Sequence, residues 1–425
     1  MVVAYEIVKK NLVVAGLILL YKYNMKQINK SPATGNNYSG SYDLTQEGYG
    51  DPMYWLRKFN IFANEAALPL IFENWSAIFG IFIIAKPMLE AWTKEQDKYK
   101  QSSDSNPKHA GRPRFDIKVI FACFIIKTIM GDSLNSFAKK ISYDPTYKAC
   151  LYAFLSFACE IPKLATLHKY FDILNNDEVL DQVCKLHTSD SLELARMLIS
   201  QDHVAREVGK TAIIDSSYMD VDITKRTAEE HKAIKDGTYV PTYGGTDSYL
   251  SESQKEDSAT FSKKRNQSHY GYKYHALADA VTKLIFNFTL TPGHVHDSQK
   301  TLDLCDSSTV KFEELYADSG YAGKKYEKAL NERGIYFYVT FRAYRGHPLT
   351  EEKRAINKAT SSIRSRIEHA FHYLDNVLMF KLRAKTMDRH NGYCQLFTMV
   401  YNALQMEQIL SGNYTVPNYL KPVAM

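Results

Sequence analysis

The chain has 425 residues, 45% of them apolar and 24% charged, with a formal net charge of +6. That length accommodates two or three domains with real cores, and the balance is ordinary for a soluble globular protein, so it permits a polyanionic partner without demanding one. Six scattered cysteines with no CxxC pair argue against zinc ligation or a disulfide framework and for reduced core residues in a cytosolic protein.

In chain order, the first apolar run covers residues 12 to 21, behind Lys9 and Lys10. It is too short to span a bilayer and no small-residue cleavage site follows it, so a signal-peptide core is the lesser reading. A polar stretch rich in Gly, Ser and Asn opens at Met25, and the first 24 residues are expected to be an extension. Residues 75 to 85 read as a core helix, and residues 94 to 109, with almost nothing to bury, as a linker or exposed loop. Gly111-Arg112-Pro113-Arg114 closes that loop with two cations.

Helices follow. Residues 117 to 130 are apolar on nearly every side, which predicts a central buried helix. Asp132 or Ser133 caps the next, with Leu134, Phe137, Ala138 and Ile141 on its inner face. Pro162 suits the first turn of a helix with Leu164, Leu167, Phe171 and Leu174 inside. Lys163, Thr166, Lys169 and Tyr170 of that helix are expected to point elsewhere. A cationic helix face suits DNA-groove docking, and an ordinary solvated bundle face has the same pattern.

From about residue 210 the periodicity becomes strand-like. Residues 211 to 214 predict a buried strand ending at Asp215, and residues 270 to 278 and 284 to 290 predict a hairpin. Lys263, Lys264, Arg265 and Lys273 precede or enter it. Asp297 is expected to cap a helix, and His294 and His296 beside it to line a loop rather than hold a metal. Residues 315 to 317 predict a strand ending at Asp318, residues 326 to 332 a helix, and residues 336 to 341 a last strand, with Arg342 and Arg345 just after it. A long final helix carries Ile363, Ile367, Ala370, Phe371, Leu374 and Leu378 inside, with Glu368 in its middle. The order predicts an α/β fold, a mixed sheet flanked by helices, preceded by an all-helical domain.

Two acids at strand ends and one on a late helix are the parts of a two-metal phosphoryl-transfer site, and three carboxylates brought together call for a cation. Taken singly, each has a plainer reading: an Asp before Ser is usually a turn residue, and Glu368 has Arg364 one helical turn away. The charged runs are by default solvated, and beside an acidic site they would bind phosphates.

Five blocks then occur in one order. They are Asp215-Ser216-Ser217, Tyr270-Gly271-Tyr272-Lys273-Tyr274-His275, Thr291-Pro292-Gly293-His294-Val295-His296-Asp297-Ser298, Ala317-Asp318-Ser319-Gly320-Tyr321, and Arg364-Ser365-Arg366-Ile367-Glu368-His369. Together they resemble a DDE transposase of prokaryotic insertion sequences, in the insertion sequence four and five group, over about residues 110 to 410. The resemblance implies a ribonuclease-H-like core with Asp215, Asp318 and Glu368 as catalytic and metal-holding residues. It implies Mg²⁺, with Mn²⁺ as a substitute, and cutting and joining of double-stranded DNA at the element's terminal repeats and the target. It also implies a homodimer in the synaptic complex, a nucleoid-associated cytoplasmic location and no membrane.

Arg364 matches the arginine four positions before the catalytic glutamate, whereas Ser361 and Asp375 stand where the group's tyrosine and lysine belong. Lys381, Arg383 and Lys385 lie further along. The candidate DNA contacts are Arg112, Arg114, Lys163, Lys169, Lys263, Lys264, Arg265, Lys273, Arg342, Arg345, Arg364 and Arg366. The expected domains are an extension and helical segment (1–92), a polar linker (93–115), a helical DNA-binding domain (116–205), the catalytic domain (206–410) and a tail (411–425). A non-catalytic DNA-binding protein derived from a transposase, or a nuclease on the same fold without strand transfer, are the alternatives.

Overall fold

Tryptophan, phenylalanine and isoleucine in helical spacing open the described part of the chain. A computed structural model describes residues 74–103, 115–155, 159–221, 227–240, 258–264 and 267–420. The apolar run at residues 12 to 21, the expected extension, and Arg112, Arg114 and Arg265 lie outside the described residues.

Helix α1, Trp75–Ser103, buries Ile78, Phe79, Ile81, Phe82, Ala85 and Leu89. It continues through residues 93 to 103, where the sequence predicts a linker. Lys, Glu and Gln are good helix formers, so a polar run extends a helix already nucleated by its apolar half. Trp92 Nε1 also donates to Asp177 at 2.9 Å.

Helix α2, Ile117–Ile129, is capped by Asp116 and buries every residue except Lys118. At roughly 1.5–3 kcal/mol per buried large side chain, it is the main hydrophobic contributor among its neighbours. Ser133, one of the two expected caps, opens α3, Leu134–Tyr143. Helices α4, Pro145–Leu155, α5, Leu164–Asn176, and α6, Val179–Leu198, complete the series. Pro162 precedes the α5 cap, Lys163, instead of lying in the first turn. Tyr170 of α5 is buried, not turned outward, because its hydroxyl accepts from the Phe115 amide at 3.1 Å.

The short α7, Asp202–Ala205, leads into the sheet. Its strands are β1, Thr211–Asp220, β2, Thr260–Lys264, β3, Gln267–Asp279, β4, Ile285–Pro292, β5, Glu314–Ala317, and β6, Tyr336–Val339. The order is β2-β3-β1-β5-β6, with β4 also on β3. β1 to β4 pair antiparallel, and β5 runs parallel to β1 and β6. β1 occupies one edge of β3 from Gly271 onward, so β2 and β4 share the other edge end to end. Gly271 marks the junction: a Cβ there would sit 2.1 Å from the Met219 carbonyl oxygen.

Helices flank this mixed sheet. They are α9, Thr301–Asp306, α10, Lys324–Asn331, α11, Glu351–Arg364, α12, Glu368–His372, and α13, Met387–Leu410, and the short α8, Ala228–Lys235, follows β1 in the chain. α11 packs on β1, β5 and β6. The expected final helix is thus not final, since α13 follows it, and Phe371 is only half-buried.

The contacts separate two units. One holds the described part of Met1–Leu194 with Asn402–Gly412, and the other holds Ala195–Tyr401 with the described part of Asn413–Met425. The sequence places those divisions at residues 205 and 410 instead. Contacts of the chain decide such boundaries, and the end of α13 belongs with the first unit although its start belongs with the second.

Asp279 fixes the end of β3. Fully buried, it accepts from the Gly209 amide at 2.8 Å and from both the amide and hydroxyl of Thr282 at 2.7 Å. Burial raises its pKa, against the pull of those hydrogen bonds. Among the described residues no helix is long and apolar enough to cross a membrane. Five cysteines are buried and Cys159 is half-buried.

Candidate active site

The ten-residue β1 carries Asp215 in its middle, not at its end as the sequence predicts. The long β3 supplies a partner for β1 as far as Asp220, which extends the strand past its apolar run. The parallel neighbour stops earlier. β5 pairs Thr211 with Glu314 and Ile213 with Tyr316, and ends at Ala317. The same offset sets Asp318 opposite Asp215, one residue beyond the end of β5. Adjacent strands lie about 4.8 Å apart, so the two acids share the place where the sheet opens.

Asp318 caps the 3₁₀ turn Ser319–Tyr321, accepting from the Gly320 amide at 2.8 Å. Asp215 accepts from the following amide, Ser216, at 2.8 Å through one oxygen. Through the other it accepts from Arg364 at 2.7 Å.

Arg364 ends α11, and its second terminal nitrogen lies 3.6 Å from Glu368. One guanidinium therefore spans Asp215 and Glu368 with two nitrogens, and its side chain is only 20% exposed. Glu368 is not mid-helix. The 3₁₀ turn Ser365–Ile367 precedes it, α12 begins on it, and the π-turn Tyr373–Val377 follows α12. Such breaks inside helices often mark functional positions.

Strand alternation divides the surroundings. Ser216 pairs with His275 and Tyr218 with Lys273, so these four share one face of the sheet and Asp215 takes the other. Lys273, proposed from sequence as a phosphate contact, is buried. Its ammonium donates to Asp297 at 3.0 Å and to the Val295 carbonyl at 2.8 Å, and lies 5.1 Å from the Tyr218 ring centre. Asp297 does not cap its helix, because His296 does so by accepting from Ser298. Asp297 is drawn instead to Lys273. His275 donates to or accepts from Thr291 at 2.8 Å, and burial lowers its pKa to about 4, so it is neutral at neutral pH. Tyr321 is fully buried, and burial, with Asp215 and Asp297 adding, pushes its phenol well above the usual value.

The remaining cations fall into three groups. Lys163, Lys169, Lys263, Arg342 and Arg345 are exposed, and the backbone of Lys264 lies on β2. Arg366 is not turned to solvent as a DNA contact would be. It donates to the carbonyls of Ala280, Val281 and Thr415. Arg364 is committed to the two carboxylates. Among the described residues, no three His, Cys, Asp or Glu side chains group closely enough to hold a metal. The cation beside Asp215 and Glu368 is an arginine, and Asp318 is engaged with its own turn. The donor chemistry nevertheless fits a hard divalent ion: carboxylate oxygens from a strand, a strand-end turn and a helix start.

Residues 220–403 match the family model described as the transposase DDE domain. The match covers 184 of the 425 residues, and that domain is what this part of the chain is similar to. A DDE transposase domain is consistent with the mixed sheet flanked by helices. The matched residues include Asp318, Glu368 and Arg364, and they begin just after Asp215. DDE transposases use divalent metal ions, and their substrate is DNA.

Sequence reasoning missed the burial of Lys273, the Tyr321 phenol and the anchoring of Arg366. None of these has a local pattern. It also missed α8, which did have one: Thr227 and Glu230 form a capping box, a spacing readable directly.

Proposed function

We propose that this chain is an insertion-sequence transposase that cleaves DNA at the element's ends and joins the 3′ ends to target DNA by two-metal phosphoryl transfer. The observation that carries the reading is the single Arg364 guanidinium near both Asp215 and Glu368, with Asp318 at the turn that follows β5, the parallel neighbour of β1. The antiparallel β1–β3–β4 followed by parallel β5 and β6 supports a ribonuclease-H-like core. The five ordered blocks favour the insertion sequence four and five group.

Asp215, Asp318 and Glu368 are the residues that would hold Mg²⁺ or Mn²⁺. When bound, such ions supply an activated water and charge stabilisation for the leaving 3′ oxygen. The chain's own residues would supply the ligands: Asp215 from β1, Asp318 from the turn after β5 and Glu368 from the start of α12, with the Arg364 guanidinium 3.6 Å from Glu368. The carboxylates need not act as general bases, and no Ser or Tyr nucleophile is required. Exposed Lys163 and Lys169 of α5, with Lys263, Arg342 and Arg345, are the proposed DNA contacts, and Arg112, Arg114, Lys264 and Arg265 extend the set. A homodimer on paired ends, in the nucleoid, completes the reading.

The test is an assay with duplexes taken from the DNA flanking the gene. The full chain with Mg²⁺ should release a 3′-hydroxyl at the repeat boundary and yield joined product in a target plasmid. Chelation should stop both steps, and added Mg²⁺ or Mn²⁺ should restore them. Cleavage without joining would favour the nuclease alternative. Binding without cleavage in either metal would favour a derived DNA-binding protein.

A further inference from the structure

We infer that Arg366 is a positioning residue for Glu368, holding the 3₁₀ turn that aims both Glu368 and Arg364. The inference rests on the proposed metal site and adds a residue to its support.

Arg366 sits in the three-residue turn Ser365–Ile367, directly between Arg364 and Glu368 in sequence. Its guanidinium donates to Val281 at 2.9 Å, to Thr415 at 2.8 Å, and to Ala280, all main-chain oxygens. A planar fork with donors on three carbonyls has few alternative positions. Two of those carbonyls are themselves held. Ala280 and Val281 belong to the β3–β4 turn that Asp279 organises, and the Ala280 amide donates to Thr211 of β1 at 2.9 Å. In the same turn Lys283 takes a positive φ of 64°, and its carbonyl accepts from the Tyr401 hydroxyl at 3.0 Å.

Thr415 belongs to the segment that rejoins this unit after Gly412. Among the described residues after Gly412, Thr415 supplies one of the three acceptors. The 3₁₀ turn changes the rotation per residue, and an anchor at its centre makes the change fixed instead of fluctuating.

The experiment compares full-length wild type with Arg366→Ala, Arg366→Lys and Glu368→Gln. The readouts are Mn²⁺ affinity by electron paramagnetic resonance without DNA, the Mg²⁺ concentration for half-maximal cleavage, and the salt dependence of end binding. Support residues of this kind typically change metal affinity 10- to 100-fold, so Arg366→Ala should weaken Mn²⁺ binding by at least about tenfold. Arg366→Lys should recover part of that loss. The salt slope should not change, whereas a phosphate contact would lower it by about 0.9. Wild-type Mn²⁺ affinity in Arg366→Ala would overturn the inference, and so would a reduced salt slope with unchanged metal affinity. If Glu368→Gln itself binds Mn²⁺ like wild type, the metal-site reading fails instead. If circular dichroism shows Arg366→Ala unfolded, Arg366→Lys decides. If both variants are unfolded, Arg366 holds the fold and not the site, and the inference is overturned.

Discussion

Asp215→Asn, Asp318→Asn and Glu368→Gln are each expected to abolish end cleavage while leaving end binding largely intact. The substitutions keep the shape of each side chain and remove the charge that holds a divalent ion. The effects should not add, because any one loss disables the same unit. Asp215→Asn also loosens Arg364, whose 2.7 Å contact has lost its charge, so Glu368 becomes less restrained in that variant. Single-turnover cleavage of a labelled end duplex, with filter binding in parallel, checks this. Retention of more than about a tenth of the wild-type rate in any one variant would point to a different ligand set.

Asp279→Ala is expected to destabilise the sheet-bearing unit by about 3 kcal/mol. The carboxylate satisfies three buried donors, and removing it leaves the Gly209 amide and both Thr282 groups unpaired. Each unpaired buried donor costs roughly 1–3 kcal/mol, offset in part by relief of the buried carboxylate. All three tryptophans, Trp55, Trp75 and Trp92, precede this unit, so tryptophan emission is the wrong probe. Hydrogen exchange at the β1 and β3 amides is the right one. Unchanged protection there would contradict the role given to Asp279. Because Ala280 and Val281 lie next to it, the variant should also loosen Arg366, and its Mg²⁺ requirement should rise.

Much of this was legible in the residues, and particular residues explain what was not. The β3–β4 hairpin, β5, α10 and β6 follow from apolar alternation bounded by polar punctuation. So does α2, whose apolar surround has no exposed face to confuse the pattern. The edge strand β2 did not emerge, because Thr260 to Lys264 carries little apolar signal and is held by backbone pairing to β3. The extension of β1 past Ile214 has the same cause. Lys273 reads as a surface cation until tertiary structure brings Asp297 and the Val295 carbonyl to it. Arg366 reads likewise, since its acceptors are carbonyls from positions distant in sequence. The order of the three acids was visible from the start. What sequence could not give was the arginine between two of them, because a spacing of four predicts only the Arg364–Glu368 contact and not the one with Asp215.

The central claim is that Asp215, Asp318 and Glu368 form one metal-binding site. The most direct measurement is anomalous diffraction from crystals of the full chain bound to an end duplex and soaked in Mn²⁺. The account predicts manganese peaks within coordination distance of oxygens from all three carboxylates, a pair of them about 4 Å apart, with Arg364 displaced from at least one of its two partners. Well-ordered DNA and carboxylates with no manganese at these residues, or with Asp318 bound apart from the other two, would contradict it.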